Sequence, residues 1–168
     1  GRDWCDNRRW KIVRQIDGEV RFPLDAPEGD QGFPGNLVAS ARFTLTDDNR
    51  IAIEYRATVD KPCPVNLTNH AYFNLDGSQC DVRNHKLQIL ADAYLPVDEM
   101  GIPHQGLKDV SGTSFDFRSA KTIAQDFMSD DDQRKVKGYD HAFLLQAKGD
   151  VKQTAAQVWS EDEKLQKT

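Results

Sequence analysis

The sequence predicts an all-β fold of sandwich architecture, and two observations carry that expectation. Several runs alternate apolar and polar residues at the period with which a strand sends successive side chains to opposite faces. Glycine, proline and Asp/Asn clusters break those runs at short intervals, as turns do. At 168 residues the chain is long enough for one domain with a core and short for two.

The elements follow in order. "WKIVRQI" and "EVRFPL" flank Asp17-Gly18, a two-residue turn of the kind hairpins favour. Residues 24–36, "LDAPEGDQGFPGN", read as a Gly/Pro-rich loop. Leu37, Ala39, Ala41, Phe43 and Leu45 alternate with Val38, Ser40, Arg42 and Thr44. "TDDNR" turns the chain, and Ile51, Ile53, Tyr55, Ala57 and Val59 then alternate with Ala52, Glu54, Arg56, Thr58 and Asp60. This is a hairpin with one buried face. "DKPCP" leads into a further strand at 66–75, "NLTNHAYFNL". More strands are expected at 86–94, 139–147 and 152–159, with one short helix near 119–128. Ser119 is its N-cap, and Ile123 and Phe127 share its inner face. "MSDDDQRKVKG" reads as a charged loop, and no internal repeat or low-complexity segment is visible.

The net charge of −5 and pI near 5.3 argue against a nucleic-acid partner or an anionic membrane surface. No apolar stretch is long enough to span a bilayer as a helix. "GRDWCDNRRW" lacks the pattern of a secretory leader and reads like mid-domain sequence. Cys5, Cys63 and Cys80 form no C-x-x-C pair, so reduced thiols in a cytoplasmic protein are expected. Asn66-Leu67-Thr68 is formally a glycosylation sequon, a pattern short enough to arise by chance.

The run 66–75 carries the most chemistry. Val65, Leu67, Ala71, Phe73 and Leu75 occupy odd positions, whereas Asn66, Thr68, His70, Tyr72 and Asn74 occupy even ones. Phe73 and Leu75 are therefore expected to point into the core, and His70 and Tyr72 away from it. Asn69 breaks the apolar face, as a bulge or through a buried hydrogen bond. The even face has no Lys, Glu or Arg, and its amide, hydroxyl, imidazole and phenol groups suit a neutral, hydroxyl-rich ligand. The competing reading is an internal polar network that satisfies itself.

Other constellations carry less. Gly29, Gly32 and Gly35 in "GDQGFPG" lack the strand-to-helix context of a phosphate loop, so a tight glycine turn is the better reading. His70, His85, His104 and His141 show no metal-pair spacing, and a Ser–His–Asp triad could be drawn from almost any sequence of this length. "GYDHAFLL" sets Asp140 and His141 just before an apolar strand. They are either ordinary strand-end polar residues or, for Asp140, a carboxylate placed to accept sugar hydroxyls.

Taken together, "GDQGFPGNL", "YRATVDKPCPVNLTNH", "NLTNHAYFNL", "YLPVDEMGIP", "GTSFDFR" and "GYDHAFLL" resemble, in matching order, the bacterial-type aldose 1-epimerase (galactose mutarotase) family. The resemblance runs through essentially the whole chain. It implies a partial galactose-mutarotase-like β-sandwich, with residues 1–168 the central part of a single domain. It implies interconversion of the α and β anomers of free hexoses, with a small aldose as partner and neither metal nor organic cofactor. His70 falls on the family's general acid and Asp140 on a carboxylate that binds sugar hydroxyls. Tyr72, two residues beyond His70, is expected to line the same pocket.

Ring opening needs a base at the anomeric hydroxyl and an acid at the departing ring oxygen. An imidazole with an unperturbed pKa of roughly 6.5 suits the acid, and a nearby carboxylate favours its protonated form. The resemblance places the family's general-base glutamate, an Asn-Arg pair and a His-Gly-Gly segment outside this sequence. Glu161 and Glu163 come too early for the base. The chain is thus expected to be a central fragment, inactive alone, whose open strand edges invite self-association. The alternatives are a noncatalytic carbohydrate-binding sandwich and a sugar-phosphate epimerase relative. The absence of Arg and Lys on the His70 face speaks against the latter.

Overall fold

The computed structural model describes residues 7–77 and 81–160, in two compact units divided between Ala71 and Tyr72. Cys5, Cys80, Glu161 and Glu163 lie outside the described residues.

The first unit is built on one antiparallel sheet. Its strands are β1 (Arg14–Ile16), β2 (Glu19–Ala26), β3 (Leu37–Leu45) and β4 (Ile51–Val59), side by side in that order. The Asp17-Gly18 turn closes the first hairpin, with Ile16 opposite Glu19. Gly18 has φ +71°, and its carbonyl accepts the Leu45 N–H at 2.7 Å. A Cβ there would stand 2.8 Å from the Leu45 carbonyl oxygen, so both backbone sign and space require glycine. At the next turn Asn49 takes φ +60°, Arg50 O accepts the Thr46 N–H and Thr46 Oγ1 accepts the Arg50 N–H. The β3–β4 hairpin has the expected bounds, in unbroken register from Leu37↔Val59 to Leu45↔Ile51.

Burial departs from the expected pattern. Ala39, Ser40 and Ala41 of β3 are buried, but Ile51, Ile53 and Val59 of β4 are exposed, Ile51 at 66%. Among the described residues β4 pairs only with β3 and lies at the sheet edge. Its alternation set the strand and its register, yet no layer of the first unit covers its apolar face.

The Gly/Pro-rich loop between β2 and β3 contains a single 3₁₀ turn, Asp30–Gly32, pinned by a bidentate Arg8–Asp30 ion pair. Its exit is tied to the end of β4: Asn36 donates its backbone N–H to Asp60 Oδ1 at 2.7 Å and its side-chain N–H to Oδ2 at 2.6 Å. These bonds hold the Asp60 carboxyl below its usual range.

The second unit holds two three-stranded antiparallel sheets. β5 (Lys86–Ile89) lies between β10 (Ala156–Trp159) and β8 (Lys121–Thr122). β6 (Ala91–Leu95) lies between β7 (Lys108–Asp109) and β9 (Ala142–Leu145). The strand expected at 86–94 is therefore two, divided at Leu90. The Leu90 N–H bonds to Ala155 while its carbonyl accepts from Gln146, so one residue serves both sheets. The strands expected at 139–147 and 152–159 are present in shorter form as β9 and β10.

The helix is displaced from its expected place. Residues Ile123–Asp126 form only a 3₁₀ turn, preceded by Thr122 rather than capped by Ser119. The α-helix, α1, is Asp131–Val136, inside the stretch read as a charged loop. Asp130 caps it by accepting the Asp132 N–H at 3.0 Å, with acidic residues in its first turn and Arg134 and Lys135 in its last. Charge placement, not apolar spacing, specifies this helix. The core of the unit is aromatic: Tyr94 stacks on Phe115 at 4.0 Å, beside Val110, and Tyr139 and Phe143 pack against them.

Candidate functional site

The run Asn66–Leu75 is not a strand. No residue from 62 to 74 pairs in a ladder with the described residues, and odd and even positions alike are largely exposed, so the alternation there does not mark a half-buried strand. Phe73 and Leu75 do not enter a core: Phe73 is 72% exposed and Leu75 40%. Local bonds shape the run instead. Asn69 Oδ1 accepts the Ala71 N–H at 3.0 Å, and Asn74 Oδ1 accepts the Asp76 N–H at 3.1 Å. Asn69 therefore makes an exposed side-chain turn, neither a bulge nor a buried bond.

His70 is exposed near the end of the first unit, and Tyr72, 89% exposed, opens the second. Asp140 belongs to the second unit and is exposed two residues before β9. The three candidate residues thus reach solvent but are carried by different units.

Within the second unit two carboxylates are sharply contrasted. Asp132 is buried and accepts from the Tyr94 hydroxyl (2.8 Å), Lys135 Nζ (2.8 Å) and Lys108 Nζ (3.3 Å). Burial pushes its pKa up, but these donors outweigh burial and bring it to about 2. The same carboxylate and burial push the Tyr94 phenol to about 12. Three donors thus engage Asp132. Asp140 makes no hydrogen bond or ion pair with the described residues, so its acceptors remain open to a ligand.

Its neighbour His141 sits edge-on to Phe115 (4.6 Å) and Tyr94 (5.7 Å), with neither ring nitrogen hydrogen-bonded. Burial lowers its pKa against the fields of Asp132, Asp140 and Asp130, which favours the neutral ring. A neutral, half-buried imidazole is poorly suited to donate a proton.

The Gly29–Gly35 loop helps wall a cavity of about 400 Å³ in the first unit, with Phe33, Pro34, Leu37, Pro64, Val65 and Leu67. Arg8, Asp30, Gln31 and Asn66 add polar groups to this mostly apolar lining. His104 is exposed, whereas His85 is buried and bonded to the exit of the 66–75 run, a link that periodicity gave no means to find.

The three antiparallel sheets, with one short α-helix among the described residues, place the chain in the all-β class. The aldose 1-epimerase family model matches residues 2–168, and the chain belongs to that family. It is 74% identical to the aldose 1-epimerase of Escherichia coli (strain K12) over 166 residues, 99% of this chain and 48% of that protein. It is 51% identical to the Haemophilus influenzae aldose 1-epimerase over 147 residues, 86% of this chain and 43% of that one. The crystal structure of galactose 1-epimerase from Lactobacillus acidophilus NCFM superposes with a TM-score of 0.81 at 34% identity, covering 92% of this chain and 46% of that one. The chain spans about half the length of the curated relatives it matches. No helix of the described residues is long and apolar enough to cross a membrane.

Proposed function

We propose that this chain supplies the acid-bearing part of an aldose 1-epimerase acting on free hexoses such as galactose and glucose. Family membership across residues 2–168 carries the reading. His70 protonates the departing ring oxygen, rotation about C1–C2 follows, and closure returns the other anomer. Asp140 accepts hydrogen bonds from sugar hydroxyls, supported by a carboxylate that is exposed and unengaged by the described residues. Tyr72 offers an exposed ring and hydroxyl on the same run as His70. No residue of this chain is assigned as the base. A cytoplasmic setting fits the free thiol of Cys63.

Polarimetry on freshly dissolved α-galactose tests the reading, using the protein that carries this chain at full length. Faster decay of rotation than in buffer supports it. Decay at the buffer rate, with saturable sugar binding retained, supports a noncatalytic carbohydrate-binding module instead.

A further inference from the structure

We propose that His85 is a positioning residue for the epimerase reaction, clamping, within the second unit, the end of the run that carries Tyr72; this rests on the function proposed above. The run has no ladder to fix its backbone, so its shape depends on individual tethers. The Leu75 N–H donates to His85 Nε2 at 3.0 Å, a bond across ten positions of sequence. The bonds that Asn69 Oδ1 and Asn74 Oδ1 accept, by contrast, come from N–H groups two residues ahead.

The clamp fixes the chemistry of the ring. Accepting a backbone N–H requires Nε2 to be unprotonated, so the proton of the neutral ring resides on Nδ1. Nδ1 faces the Asp76 carboxylate at 3.9 Å, and the other oxygen of that carboxylate accepts from Ser160 Oγ. Asp76 follows Leu75 directly, but at 3.9 Å Nδ1 makes no hydrogen bond to it, so the tether is the bond from Leu75 to Nε2.

His85 is itself immobilised. It is 1% exposed, its N–H bonds to Val82 O, and its carbonyl accepts the Ile123 N–H. A histidine needed only to fill space would not require an unprotonated nitrogen aimed at a backbone amide. Leucine would fill much of that volume and leave the Leu75 N–H without its acceptor.

The test compares wild type, His85→Leu and His85→Gln in the full-length protein. Glutamine can place an amide oxygen near the site of Nε2, so it keeps an acceptor if leucine proves too disruptive to fold. Two readouts are taken: hydrogen exchange at the Leu75 amide, and kcat and KM for α-galactose mutarotation. H85L should expose the Leu75 amide to exchange and lower kcat by up to about 10²-fold, the scale of a misplaced catalytic group, with KM less affected. H85Q should recover both protection and kcat toward wild type, a rescue that space-filling alone would not give. An H85L enzyme with wild-type kcat but an unprotected Leu75 amide overturns the positioning role. Unchanged Leu75 exchange in H85L overturns the clamp. A wild-type protein without mutarotation overturns the functional reading and this role with it, while Leu75 exchange still reports on the clamp separately.

Discussion

The β3–β4 hairpin and the run 66–75 share a sequence pattern and differ in structure. Both alternate apolar and polar residues. The hairpin becomes a ladder with nine residues in each strand. The run joins no ladder with the described residues, and its apolar positions Phe73 and Leu75 are exposed. Alternation states which side chains belong together, whereas a strand also needs a partner for its N–H and C=O groups. β3 and β4 supply each other across one turn. The run has no such neighbour and relies on Asn69, Asn74 and His85. The difference separates two tasks, with paired elements and an aromatic core maintaining the fold while exposed residues remain available for chemistry.

The largest stability effect should come from the aromatic core. Phe115 is fully buried, stacked on Tyr94 and edge-on to Tyr139 and His141. Phe115→Ala should destabilise by about 3–5 kcal/mol, seen as a lower urea midpoint. A change as small as that of a surface substitution would mean that stability does not reside there.

Asp140→Asn sharpens the contrast from the other side. Loss of a charged acceptor for sugar hydroxyls should lower kcat/KM by about 1.5–3 kcal/mol, or roughly tenfold to 10²-fold. Because Asp140 is exposed and unengaged by the described residues, the urea midpoint should hardly move. A destabilised variant with normal kcat/KM would reverse its assignment.

Asp132, the engaged carboxylate, should behave oppositely in acid. Its folded pKa of about 2 lies below the 3.8 of an unperturbed aspartate. Its contribution to stability is therefore present above pH 3.8 and is lost as pH falls through the folded pKa, amounting to about 2 kcal/mol. Urea melts of wild type and Asp132→Asn should converge across that window. A gap that stays constant from pH 5 to about pH 2 would contradict the assignment.

Much of this division was legible in the sequence. The bounds of β3 and β4, the Asp17-Gly18 turn and the position of Asp140 before a strand all follow from local pattern and turn chemistry. The failures share a cause: they depend on partners distant in sequence or on charges. The run 66–75 lacks a partner strand, and Leu90 divides one expected strand between two sheets through its backbone. Helix α1 is set by the Asp130 cap and by end charges instead of apolar spacing. Asp132 gave no signal, because its partners Tyr94 and Lys108 lie far away in the sequence.

We propose that the ladderless run carries the chemistry through His70. The most direct measurement is the mutarotation rate of His70→Ala in the full-length protein, followed by polarimetry on α-galactose. Loss of a general acid should reduce kcat by about 10²–10⁴-fold. A kcat equal to wild type would show that another group donates the proton, and that the run is a surface segment with no part in the reaction.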